Sequence, residues 1–137
     1  MARVLVVEDS SKWQMLHQAH LESVLGKGNV DIVDNYNDAI SMLGRSYVAY
    51  ILDVQFPRYH GGEPQLVGVQ LAQEIGRREN GYDKIAMASS GGDMLVKARE
   101  LGVTKLYNKG TPNKKNGEKC ADDLVQDLQY LFNAYDI

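Results

Sequence analysis

The run Tyr47-Val48-Ala49-Tyr50-Ile51-Leu52 is apolar throughout and stops on a single carboxylate, Asp53. A strand apolar on both faces belongs inside a parallel sheet, because crossover helices cover such a sheet on both sides. An acid at its carboxyl end then falls on the rim where open α/β sheets place ligands and chemistry. The other segments are constrained by what they bring to that rim.

Arg3 to Val7 is β-branched and apolar on both faces, and ends at Glu8 and Asp9. Ser11-Lys12-Trp13-Gln14 has the form of a capping box; Trp13, Leu16, His20, Leu21 and Val24 then recur at helical spacing until Gly26 and Gly28. Asn29 to Val33 reads as a second strand interrupted by Asp31, and a turn at Asp34–Tyr36 opens a short helix with Ala39, Ile40 and Leu43, closed by Gly44. After the central strand comes an irregular stretch from Gln55 to Gln65 containing Pro57, Gly61, Gly62 and Pro64, then a helix with Gly68, Leu71, Ala72 and Ile75 on one face and Asn80-Gly81 as its exit turn. Lys84 to Ala88 is a fourth strand delivering Ser89 and Ser90. Asp93 caps a brief helix through Ala98 and Leu101, with Gly102 as its stop. Lys105 to Asn108 is a fifth strand ending on Lys109. A polar loop, Gly110 to Lys119, precedes a last helix with Leu124, Leu128, Leu131 and Tyr135 in one stripe and Val125 and Phe132 beside it.

Five strands alternating with five helices predict a doubly wound, five-stranded parallel sheet of flavodoxin-like type with right-handed crossovers, formed by residues 1–137 as one domain. A chain of 137 residues buries about two-thirds of its unfolded surface and folds alone. The net charge of −3 offers no general attraction to nucleic acid or acidic lipid, and no apolar run approaches a membrane span. With one cysteine, Cys120, no internal disulfide forms, and the chain reads as cytoplasmic, with Cys120 a small packing residue.

The carboxyl ends of strands one, three, four and five share one rim in this architecture, which gathers Glu8, Asp9, Asp53, Ser89 and Lys109. Clustered carboxylates repel one another and persist as anions only when a cation or hydrogen-bond donors offset them. Oxygen ligands alone favour a hard ion, Mg2+ best, since it takes one or two carboxylates and completes its shell with waters and phosphate oxygens. Carboxylate nucleophiles form aspartyl-phosphates, which makes Asp53 the natural nucleophile.

Val6-Val7-Glu8-Asp9-Ser10, Ile51-Leu52-Asp53 with Pro57 four residues on, the hydroxyl of Ser89 after strand four and Lys109 after strand five together resemble the receiver domain of bacterial two-component response regulators. The resemblance spans the chain. It implies Asp53 as phosphoacceptor, Asp9 and Asp53 as direct Mg2+ ligands with the main-chain carbonyl of Gln55, and Glu8 as an acid acting through water. It also implies Ser89 as the hydroxyl that hydrogen-bonds the phosphoryl group and Lys109 as the amine that pairs with it; Ser90 is the alternative hydroxyl. The implied partners are a histidine kinase or histidine phosphotransfer protein and a downstream protein target. Monomer and dimer are both left open, and no output segment is expected after the last helix.

Four features depart from the family pattern. The aromatic residue usual three positions before the lysine is Leu106, with Tyr107 beside it on the opposite strand face. The proline usual after the lysine is Gly110. The loop after Asp53 is roughly seven residues longer than the family norm, counted to Gly68, and the loop after Lys109 is extended too, so both are expected to serve partner recognition or control access to the aspartate.

Other patterns carry less. His17 and His20 are three residues apart, but with His60 they lack a further ligand spaced for a metal site, and His20 falls on the expected packing stripe. Lys114, Lys115 and Lys119 read as a solvated loop, and Gly26-Lys27-Gly28 lacks phosphate-loop spacing. Trp13, the single tryptophan, lies one helical turn beyond Asp9 and serves as a reporter of the rim. The expected function is a stand-alone phosphorylation switch rather than an enzyme acting on other molecules. The rivals are a binding module that no longer depends on phosphorylation, favoured by Leu106 and Gly110, and a Mg2+-dependent aspartyl-phosphate phosphatase. Gln55 argues against the latter because it occupies the place of the second acid such hydrolases carry two residues after the nucleophile.

Overall fold

Short β-branched runs become strands and longer 3.6-periodic runs become the helices that cover them. A computed structural model describes residues 3–89, 95–109 and 119–120. In chain order the elements are β1 (Val4–Val7), α1 (Ser11–Leu25), β2 (Val30–Val33), α2 (Tyr36–Met42), β3 (Ala49–Asp53), β4 (Phe56–Pro57), β5 (Pro64–Gln65), α3 (Gly68–Glu79), β6 (Ile85–Ser89), α4 (Leu95–Leu101), β7 (Lys105–Asn108) and β8 (Lys119–Cys120). The main sheet has the order β2-β1-β3-β6-β7-β8, and each of its pairings is parallel. This is the doubly wound, flavodoxin-like architecture that the alternation predicts.

Strand alternation divides the core between the two faces of the sheet. Leu5, Val7, Tyr50, Leu52, Ile85, Met87 and Leu106 meet Ala39 of α2, Leu71, Ala72 and Ile75 of α3, and Leu95 and Ala98 of α4. Val4, Val6, Ala49, Ile51, Ala86, Ala88 and Tyr107 meet Leu21 and Leu25 of α1 on the other face. Burying a side chain of this size contributes about 1.5–3 kcal/mol, so the strands specify their own inside and outside. Leu106 and Tyr107 thus belong to opposite halves of the core.

Several local expectations change. The capping box does not form: Ser10 is the N-cap residue and makes no side-chain cap bond, while the Gln14 side chain donates to the Glu8 carbonyl at 2.6 Å. That bond ties the start of α1 to the end of β1. The buried residues of α1 are His17, Leu21 and Leu25, so His20 and Leu16 leave the expected stripe for the exposed side, and Trp13 turns towards the rim. The Asn29 amide donates to the Leu25 carbonyl at 2.6 Å, which terminates α1 and delays β2 to Val30. Asp31, read as an interruption, is an anchor: Arg3 at 2.5 Å and the Tyr47 hydroxyl at 2.7 Å both donate to it.

The stretch from Gln55 to Gln65 is not irregular. β4 and β5 pair as an antiparallel ribbon, Phe56 opposite Gln65 and Pro57 opposite Pro64, with Phe56 buried in the core. The ribbon is pinned to the β2–α2 corner by Asn37 N–H donating to the Arg58 carbonyl at 2.9 Å, by the Arg58 guanidinium 5.5 Å from the Tyr36 ring centroid, and by His60 Nδ1 at 2.6 Å from Asp34. β8 is the second addition, a two-residue strand beside β7 that makes the sheet six-stranded where five were expected. Ser90, the cap at Asp93, Gly110, Lys114, Lys115 and the last helix with Leu124, Val125, Leu128, Leu131, Phe132 and Tyr135 lie outside the described residues.

Candidate functional site

The register of the parallel ladders sets which residues share the rim. Val7 pairs with Leu52, Asp53 with Ala88, and Ser89 with Asn108, so the strand ends carrying Glu8, Asp9, Asp53, Ser89 and Lys109 finish at one level. Glu8 N–H donates to the Val33 carbonyl at 3.0 Å and Lys109 N–H to the Ser89 carbonyl at 2.8 Å, which extends the ladders into the site. Gly68 opens α3 directly against the end of β3, donating to the Val54 carbonyl at 2.9 Å. A Cβ there would run into the backbone of Asp53 and Val54, so only glycine admits the helix this close.

Glu8, Asp9 and Asp53 each present a carboxylate oxygen, all within 4.8 Å of one another. The Lys109 ammonium reaches into this cluster from the β7 end; it donates to Glu8 and lies 3.3 Å from Asp53 Oδ2. Its side chain is only 6% exposed, and those of Glu8 and Asp53 are 2% and 12% exposed. Asp53 Oδ1 also accepts from Val54 N–H at 2.8 Å, and Glu8 Oε1 from Ser10 N–H at 3.1 Å. The carboxylate expected to act through water is therefore held directly by the lysine.

Burial sets the electrostatics. It pushes the Glu8 carboxyl above its usual range, helped by the charge of Asp53 and opposed by Lys109. Asp53 is raised by burial against the pull of Lys109, and Asp9 by burial and the charge of Glu8. Among the described residues the Lys109 ammonium alone meets the cluster, and burial leaves the three acids under-compensated. Buried oxygen donors in that state have the chemistry of a hard divalent cation site, and the residues present fit one.

A cavity of about 330 Å³ opens onto the cluster, lined by Glu8, Asp9, Ser10, Trp13, Asp53, Gln55, Pro64, Ser89 and Lys109. Each of the six residues singled out from sequence lines it. A larger cavity of about 730 Å³, between Tyr36, α3 and Tyr82, gathers no acid cluster and lies away from this chemistry. Pro64 was not foreseen at the rim, because it arrives through the ribbon that the sequence pattern does not reveal. Trp13 was foreseen as a neighbour of Asp9, and its ring in fact stands 5.2 Å from the Lys109 ammonium. His17, His20 and His60 are not brought together with further ligands: His17 is buried under α1, His20 is exposed, and His60 pairs with Asp34.

No protein-family model and no curated protein matches the chain. Solved structures do. The signal receiver domain of a DNA-binding response regulator from Colwellia psychrerythraea superposes with a TM-score of 0.71 at 16% identity, over 97% of this chain and 99% of that one. The receiver domain of NtrX from Brucella abortus gives 0.70 at 21% identity, over 95% and 98%. Response regulator TrrA from Thermotoga maritima, solved in complex with Mg2+ and BeF, gives 0.68 at 22% identity, over 96% and 99%. The chain has the receiver-domain fold along nearly its whole length. Among the described residues no helix is long and apolar enough to cross a membrane.

Proposed function

We propose that the chain works as a response-regulator receiver: Asp53 accepts a phosphoryl group from a histidine kinase or histidine phosphotransfer protein, and the change of state alters contacts with a downstream protein target. The observation that carries this reading is the convergence of Glu8, Asp9 and Asp53 on Lys109 at the carboxyl rim of a receiver fold. In the transfer, the bond from phosphorus to the donor imidazole nitrogen breaks, its electron pair stays with the nitrogen, and a bond forms to an Asp53 carboxylate oxygen. Lys109 offsets the charge on the phosphoryl oxygens, and the hydroxyl of Ser89, a residue lining the same cavity, hydrogen-bonds them.

Asp9, Asp53 and the Gln55 main-chain carbonyl would hold Mg2+, with Glu8 beside them. When bound, the ion supplies the positive charge that lets phosphoryl oxygens and carboxylates crowd together. The Mg2+ and BeF complex of the similarly folded Thermotoga protein supports this choice of ion. The chain's chemistry is confined to phosphorylation and dephosphorylation of its own aspartate, in the cytoplasm where a kinase donor is at hand. Turnover of external substrates is disfavoured by Gln55 standing where a second acid is needed.

A second reading, a receiver-like binding module indifferent to phosphorylation, draws on one observation. Leu106 is packed into the half of the core shared with α4, and Tyr107 faces the other half, so no aromatic side chain occupies the position the family uses as its rotamer switch. The two readings separate in a titration of Trp13 emission with Mg2+ and then beryllofluoride. The phosphoacceptor reading expects saturable changes in the wild type and loss of the beryllofluoride step in Asp53→Asn. A wild type silent to both additions supports the binding module.

A further inference from the structure

The Lys109 ammonium is bounded by Glu8 and Asp53 on one side and by the face of Trp13 on the other. Lysine is a compact charge on a flexible four-carbon stem, so two carboxylates alone leave it several places to rest, including entirely on Glu8. An indole face attracts a cation electrostatically and also excludes water from it. The indole is itself fixed. Its ring packs against His17 at 5.9 Å between centroids, His17 is buried in the body of the domain, and the Gln14 side chain anchors the same helical turn to the Glu8 carbonyl.

We infer that Trp13 is a positioning residue for the phosphoryl-transfer site: its indole face backs the Lys109 ammonium and holds it over Asp53. The inference rests on the receiver reading above and adds to it a residue drawn from α1, outside the strand ends that supply the acids and the lysine. It assigns Trp13 no contact with the phosphoryl donor; its effect passes through Lys109.

The test measures the rate of Asp53 phosphorylation by acetyl phosphate in the whole chain with saturating Mg2+. Trp13→Leu keeps an apolar filler but removes the π face, and the expected result is a rate about fivefold lower, the ratio that a partly buried cation–π contact corresponds to. Trp13→Phe, which restores a π face, is expected to recover most of that loss. In a Lys109→Met background the Trp13→Leu change is expected to have no further effect, because the group it positions is gone. A separate readout needs no phosphorylation: Lys109→Met alone is expected to shift the emission maximum of Trp13, the single tryptophan. This arm also covers the case in which Trp13→Leu fails to fold. A labelled wild type with Trp13→Leu at the same rate, or with Trp13→Phe as slow as Trp13→Leu, overturns the inference alone, as does an unmoved emission maximum. A wild type that takes no label overturns the receiver reading and the inference with it.

Discussion

At the scale of single residues, His17 makes the sharpest statement. Burial first, then the charges of Lys109 and His20, holds its imidazole down to about 4 from an ordinary 6.5. The unfolded chain therefore takes up a proton at a pH where the folded chain does not. The stability associated with the neutral ring is complete above 6.5, falls as pH drops through that window and is gone below about 4, a change of up to about 3 kcal/mol. Urea unfolding between pH 7 and pH 4.5 is expected to show this loss in the wild type and a flatter dependence in His17→Leu; equal slopes would contradict it. Asp31 gives the opposite lesson about polar residues in apolar segments. Burial raises its carboxyl, but the bonds from Arg3 and Tyr47 and the charges of Arg3 and Arg45 outweigh this and leave it lowered. Neither role is legible in the sequence: Asp31 interrupts an apolar run and is made acceptable by its distant partners Arg3 and Tyr47, and His17 lies off the apolar repeat read for its helix. The acids at the strand ends were legible because an abrupt change from apolar to charged marks where a buried strand surfaces.

Among the elements, the β4–β5 ribbon is the one whose consequences reach the site, because Pro64 at its base lines the acid cavity. It is held at its far end by the Arg58 side chain, which also meets Gln65 at 3.2 Å and Gln70 at 3.0 Å. Exposed contacts of this kind contribute about 0.5–1 kcal/mol together with the cation–π pair, enough to change local opening without unfolding the domain. Arg58→Ala is expected to speed amide exchange at Asn37, whose N–H bonds the Arg58 carbonyl; exchange at the wild-type rate would mean that the ribbon is held by its backbone alone. Shortening the tip around Gly61 is expected to alter phosphorylation or partner binding, and a shortened chain unchanged in both would remove the ribbon from any part in function. The ribbon escaped the sequence pattern for a physical reason. Its strands are two residues long and each contains a proline, so alternation has no length over which to show. β8 escaped in the same way. The long elements were legible because their apolar periods repeat over enough residues to reveal a helix or a strand, although the face of α1 was not, since His17 is buried where Leu16 and His20 were expected.

For the molecule as a whole, the parallel strand order and its register convert a list of strand ends into a place, which is why the site could be assembled from sequence while its surroundings could not. Two core halves flank the sheet, one containing Leu106 and the other Tyr107. On the proposed receiver reading, a change of state at Asp53 would reach a partner through one of them. Whether Asp53 is a phosphoacceptor is tested by intact-protein mass measurement after acetyl phosphate and Mg2+. One added phosphoryl group is expected on the wild type, mapped to Asp53, and none on Asp53→Asn. An unlabelled wild type, or equal labelling of Asp53→Asn, would contradict it.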